Sequence, residues 1–314
     1  MSVDAAPSRR RSRAWLLGLL VILGAGWGLT QPMAKIAVSD GYRHAGIVFW
    51  HLVLGALLLA AIVLARGRRL RTDRRALRLY ALIALIGTLV PNSASYEAAR
   101  HLPSGWLSIV LSTVPLIAFP IALAWGIDRF RWPRLIGLLM GLAGVVILAF
   151  PGLILGSGAA SAAFVLWLPV ALTAPAFYAV EGNYVARFGI DGMDPVELLL
   201  GASLVGALIC LPIAVATGTF IDPRPPWGAP DAAIAVSAVV HALVYAGYVW
   251  LVGRAGAVFA AQVSYLVTAF GVMWAMLILG ESYGTGFWFA MGCMFLGLFL
   301  VQPRQAEPPR PTRV

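Results

Sequence analysis

Lys35, Glu97, Glu181 and His241 are ionisable side chains that lie inside long apolar runs of this chain. A charge near a bilayer centre costs ~2.5–3.5 kcal/mol on insertion scales, so an ionisable residue there is a functional candidate by default. Lys35 ends a stripe Trp27, Gln31, Lys35 at i, i+4, i+8 on one helical face. It either snorkels to the headgroups or meets a carboxylate, from the protein or from a solute. Glu97 stands beside Tyr96, near Asn92 and Ser93, and has Arg100 or Lys35 as pairing partners; unpaired, a carboxylate in an apolar setting is what proton coupling requires. Glu181 offers the same choice, with Tyr178 one turn before it and Arg187 beyond the next turn. Ser237, His241, Tyr245 and Tyr248 follow i, i+4, i+8, i+11 spacing and share one face. A polar stripe in lipid must face protein or water, and His241 there either exchanges a proton near neutral pH or hydrogen-bonds a neighbouring helix. Gln262 and Tyr265, and Ser108 and Ser112, have spacings more typical of hydrogen bonds between packed helices.

The elements that must position these groups are set by composition. The chain has 314 residues, 61% hydrophobic and 11% charged, with a mean hydropathy of +0.86, which excludes a soluble globular class. Charge-free runs of spanning length predict ten transmembrane helices near 14–35, 45–65, 78–99, 104–126, 133–151, 163–186, 195–216, 231–253, 256–279 and 285–302. Pro91, Pro115 and Pro120, and Pro169 and Pro175 are expected to break the third, fourth and sixth spans. Such breaks are tolerated where neighbours or a cavity satisfy the freed carbonyls. Short connections predict sequential spans as antiparallel neighbours.

The net charge of +10 comes from 22 arginines and one lysine, clustered between the spans. That pattern sets topology and gives no nucleic-acid-binding face. With the N-terminus inside, the inner segments hold 19 basic residues and the outer ones 4 (Lys35, Arg43, Arg100, Arg224), which predicts both termini in the cytoplasm. The seven arginines from Arg66 to Arg78 are also suited to anionic lipid headgroups. Asp194-Pro195-Val196-Glu197 has the form of a capped helix start. Cys210 and Cys293 are too few and too embedded for a disulfide framework or a zinc site.

Two stretches, Leu123 to Asp128 and Ile278 to Glu281, each close an apolar helix with an acid and lead into a Gly-rich helix, half the chain apart. Two half-length copies of five spans each would insert upside down relative to one another, the arrangement on which alternating access is built. Asp128 and Glu281, at helix ends, read as caps holding the turn to the next helix.

These copies resemble the EamA-type transporters of the drug/metabolite transporter superfamily. The resemblance runs over nearly the whole chain: Gly26-Trp27-Gly28 with Lys35 following, Tyr96-Glu97-Ala98-Ala99, Ser112-Thr113-Val114-Pro115, and the glycine-spaced Gly137–Gly144 and Gly292–Gly297. Departures are Asp128 in place of glutamate and Thr268 where the second copy usually has proline. The resemblance implies an all-α integral membrane protein of the inner membrane: a basic tail over 1–13, repeats over 14–151 and 163–302, and a tail over 303–314. It also implies a carrier of small metabolites such as amino acids or drug-like compounds, often outward. The candidate substrate or coupling residues are Trp27, Gln31, Lys35, Asn92, Tyr96, Glu97, Tyr178, Glu181, His241, Tyr245, Tyr248, Gln262 and Tyr265, with Asp128, Glu281 and Pro115 as repeat markers.

No cofactor or metal is expected. The sole lysine does not sit in G-x-x-x-x-G-K-[ST], and His44, His51, His101 and His241 are scattered, with no H-E-x-x-H. Partners expected are membrane lipids and a small solute; Gly24-x-x-x-Gly28 and Gly137-x-x-x-Gly141 permit close helix packing, including a homodimer. The competing class is an intramembrane enzyme on a lipid-linked substrate, with Glu97, Glu181 and His241 as acid and base. A passive carrier with a regulatory partner is a third reading.

Overall fold

A computed structural model describes residues 6–127, 129–130, 132–149, 162–255 and 263–301. Every regular element among them is helical. In chain order they are α1 (Ala6–Ala37), α2 (His44–Ala65), α3 (Arg74–Ile83), a π-helical turn (Ala84–Leu89), α4 (Val90–His101), α5 (Ser104–Leu111), α6 (Val114–Ala124), α7 (Trp132–Ala149), α8 (Ala162–Phe188), α9 (Pro195–Ala216), α10 (Ala229–Ala255), α11 (Val263–Leu279) and α12 (Thr285–Val301). The third span is α3, the π turn and α4; the fourth is α5 with α6. Seven stretches are long and apolar enough to cross a bilayer, and the helices of the fifth, ninth and tenth spans add three shorter apolar ones. Leu64, Leu166, Leu208 and Leu277 are each 69–72% exposed, a surface that suits lipid tails and not water.

The helices do not pack mainly against their sequence neighbours, contrary to the expectation from short loops. The most extensive contacts join the halves: α1 with α10 and α11, α8 with α4 and α6, α2 with α9, and α7 with α12. Exchanging each span for its counterpart five places on reproduces this list, as two inverted five-helix repeats require. The α7–α12 seam is made by small residues. A Cβ on Gly297 would come within 2.7 Å of the Gly141 backbone nitrogen, and one on Gly144 within 2.7 Å of Met294 Cγ.

Proline acts differently in each span. Pro91 has no N–H for the Gly87 carbonyl, and the chain shifts into the π turn just before it, with Val90 N bonded to Leu85 O. The fourth span breaks at Ser112–Thr113, ahead of Pro115 at the start of α6, and Pro120 lies inside α6. There the Ser112 and Thr113 hydroxyls donate to Ile109 O (2.7 Å) and Val110 O (2.6 Å). The sixth span is not broken: α8 runs on through Pro169 and Pro175.

At the arginine-rich end the 66–73 and 189–194 connections of opposite halves are tied together. Arg68 Nη1 donates to Asp194 (2.8 Å), Arg71 Nη1 to Asp191 O (2.9 Å), and Arg71 N to Glu197 (2.9 Å). Asp194 caps α9 through Val196 N, as its sequence context predicts, whereas Glu197 serves the other half. Asp73 caps α3 through Arg75 N and Ala76 N. These bonds, that from Ala76 first, hold its carboxyl below the usual carboxylate range.

Gly297→Val should force α7 and α12 apart and cost ~1–3 kcal/mol, seen as a lower midpoint of thermal unfolding in detergent; an unchanged midpoint would count against a tight seam. Because the folded-state pKa of Asp73 lies below its unfolded value, its stabilisation is present at neutral pH and disappears as pH falls through the folded value. The stability difference between wild type and Asp73→Asn should accordingly shrink on acidification, which melting curves across acidic buffers measure.

Candidate functional site

A cavity of about 80 Å³ opens between the halves. Thr30, Gln31 and Ala34 come from α1, His51 from α2, Asn92, Ser95 and Tyr96 from α4, and Leu107 and Leu111 from α5; Ala171 and Tyr178 come from α8, and Ser237 and His241 from α10. Two polar pairs organise its wall. Tyr178 donates to Asn92 Oδ1 (3.0 Å), joining α8 to α4, and the Tyr96 hydroxyl lies 3.5 Å from His51 Nδ1. The His51 ring stands edge-on to His241, centroids 5.4 Å apart. Trp27 packs beside His241 and Tyr248, at 6.4 and 5.2 Å between centroids, and Tyr245 is near-parallel to His241 at 6.4 Å. Pro175 removes the amide partner of the carbonyl of Ala171, a residue of this wall. No Asp, Glu, Lys or Arg lines the cavity among the described residues.

The stripe of α10 is thus split in use: Ser237 and His241 line the cavity, while Tyr245 and Tyr248 support the rings behind them. Sequence reasoning did not select His51. It has no polar neighbour one turn away on either side, so no stripe marks it, yet the insertion cost that singled out His241 applies equally. The second span therefore joins the cavity, and the ninth contributes no lining residue among those described. Tyr265 packs 6.2 Å from Phe295. Gln262 and Asp128 lie outside the described residues.

Lys35 binds backbone carbonyls. Its Nζ donates to Ala99 O (2.7 Å) and Leu102 O (3.0 Å), capping the carbonyl end of α4. Glu281 caps across the halves and not the helix that follows it: it accepts from Ser104 N (2.8 Å) and Gly105 N (3.2 Å) at the amide end of α5. Tyr283 also donates to Glu281. Burial first, then that carboxylate, raise the Tyr283 pKa and keep its hydroxyl a donor. Glu97 is held by Arg100 (2.9 Å), His44 (3.5 Å) and His101 (3.5 Å) at the end of α4, and His101 stacks on Trp167 of α8 at 3.7 Å. An outer cleft beside this cluster, about 380 Å³, is lined by Lys35, Arg100, His101 and Leu279 among others. Thr268, the residue in proline's usual place, is buried and donates to Ser264 O (3.2 Å) and Ser108 O (3.4 Å). Glu97, Glu181 and His241 thus stand in three different settings and form no acid–base constellation.

The EamA-like transporter family model matches residues 14–150 and 165–302. The chain belongs to this family. It is 26% identical over 293 residues to "Uncharacterized inner membrane transporter YedA" of Escherichia coli (strain K12), covering 91% of this chain and 90% of that protein. It is 25% identical over 272 residues to "Uncharacterized transporter YvbV" of Bacillus subtilis (strain 168), covering 85% and 84%. A 138-residue stretch, 44% of the chain and 45% of the relative, is 25% identical to a Streptantibioticus cattleyicolor protein named "Probable terminal-alkyne amino-acid exporter". A solved crystal structure shares the fold over 90% of this chain and 97% of its own, with a TM-score of 0.62 at 18% identity. The protein is a multi-pass membrane transporter and not an enzyme.

Lys35→Met would leave the Ala99 and Leu102 carbonyls without their donor and should cost ~1–3 kcal/mol, measured by denaturant unfolding in mixed micelles. A variant as stable as wild type would remove the capping role.

Proposed function

We propose that this transporter is a secondary carrier that exports a small organic solute, the two repeats alternately exposing the central cavity to either side. The observation that carries the reading is the cavity itself: a pocket between the halves, built from six spans and lined by polar and apolar side chains together, with no fixed charge on its described wall. At about 80 Å³ it holds a few waters and falls below the roughly 300–1,000 Å³ of ordinary ligand pockets. Solute entry then requires the halves to part, which is the motion inverted repeats provide. Gln31, Asn92, Tyr96, Tyr178 and His241, together with His51, are the proposed solute contacts, with Trp27, Tyr245 and Tyr248 fixing the His241 ring. Lys35, Glu97 and Glu281 hold the helix ends.

Both termini are placed in the cytoplasm on the 19-to-4 split of basic residues, and the membrane is the cytoplasmic one, in keeping with the name given to YedA. The relative named as an amino-acid exporter makes amino acids the first solutes to try. With no nucleotide-binding motif in the sequence, the driving force is a gradient.

The test begins with thermal-shift screening of amino acids, nucleosides, sugar phosphates and cationic drugs, since a ligand of the folded state raises its stability. It continues with flux of the binder in proteoliposomes. His241→Ala and Tyr178→Phe should lose at least tenfold in flux while folding normally, and Glu97→Gln should retain it. Undiminished flux in both cavity variants would refute the site.

A further inference from the structure

Glu181 has no use in the scheme above, although it is the one carboxylate in the middle of a span that lacks a partner among the described residues. It follows Tyr178 by three residues on α8 and precedes the helix end at Phe188 by seven, about 10 Å of helix. Its carboxylate lies directly on Gly87 of the π turn, where any Cβ would overlap both its oxygens. Arg187 does not reach it, and the Tyr178 hydroxyl gives its hydrogen to Asn92. The groups that face it are neutral phenols: Tyr178 on its own helix, Tyr245 of α10 and, past Tyr178, Tyr96 of α4. The remaining charged groups of α4, Glu97, Arg100 and His101, are at the far end of that helix. The π turn, α5 and α6 carry no ionisable side chain, and α7 carries only Arg134 in its first turn. The side chain is neither sealed nor fully exposed.

An unpaired carboxylate in such surroundings is costly unless water reaches it, whereas a neutral acid carries a hydroxyl hydrogen that a backbone carbonyl can accept. The surface it meets is the π turn that Pro91 imposes, with backbone laid bare by Gly87; π turns of this kind recur at functional sites. A charge at that contact favours water entering the seam, and a neutral acid favours its closure. The seam joins α8 of the second repeat to the third span of the first, so its state bears on how the halves sit together.

We propose that Glu181 is a proton-binding site that couples the carrier to the proton gradient, charged when the α8–π-turn seam admits water and protonated when the seam is closed. The only bond made and broken is O–H on the carboxylate: the proton enters from one compartment and leaves to the other. This rests on the carrier reading, and the test below needs no solute, so failure of one is distinguishable from failure of the other. Infrared absorption of the protein in liposomes is recorded as pH is raised from mildly acidic to mildly alkaline. Wild type should show a protonated-carboxyl band that vanishes reversibly; Glu181→Gln, which mimics the neutral acid and should fold, should lack it, and Glu97→Gln should keep it. A spectrum that Glu181→Gln leaves unchanged over the whole scan overturns the proposal. So does a Glu181-dependent band that responds to added sodium at fixed pH and not to pH.

Discussion

The structure depends on how the backbone is closed where the third span turns into the fourth. In lipid an open carbonyl or amide has no water to turn to, and a two-residue break leaves the carbonyl end of α4 and the amide end of α5 side by side. Lys35 answers the first and Glu281 the second. The ammonium comes from the first span and the carboxylate from the end of the ninth, so a local need of the backbone becomes a tie between the two repeats. Each charge is satisfied by a helix-end dipole of opposite sign, which is why both can be held at the bundle's edge without pairing directly.

The same logic places the cavity. Because the spans pack across the halves, α1 against α10 and α11, and α8 against α4 and α6, the interface between repeats runs through the middle of the molecule. Polar side chains that could not face lipid collect there. His51, Tyr96, Asn92, Tyr178, Gln31 and His241 belong to five different spans, and none would be useful without the others. The α7–α12 pair, joined through glycines, stands aside from this and braces the bundle.

The helical architecture was largely legible in the sequence, because charge-free runs of about 20 residues are the length that crosses lipid as a helix. The stripes on α1 and α10 gave Gln31, Ser237 and His241 of the cavity wall, since a helical face can be read from spacing alone. What escaped was whatever depends on which helices meet. Lys35 reads as a free cation until the α4 carbonyls are brought to it. Glu281 reads as a cap for its own turn until α5 arrives from the other half. His51, solitary on an apolar helix, carries no periodic signal. Pro169 and Pro175 have the residue type of breaks, yet α8 passes through them, while Pro91 displaces its disruption upstream into the π turn.

The two ends of the bundle are fastened by different physics. At one end Arg68 and Arg71 pair with Asp194 and Asp191 at partly exposed positions, where salt weakens an ion pair. At the other, Glu281 meets backbone amides at short range in a half-buried niche, where screening is weak. Added salt therefore weakens the arginine clasp more than the glutamate one, so the two ends of the bundle differ in how their hold depends on the surrounding electrolyte.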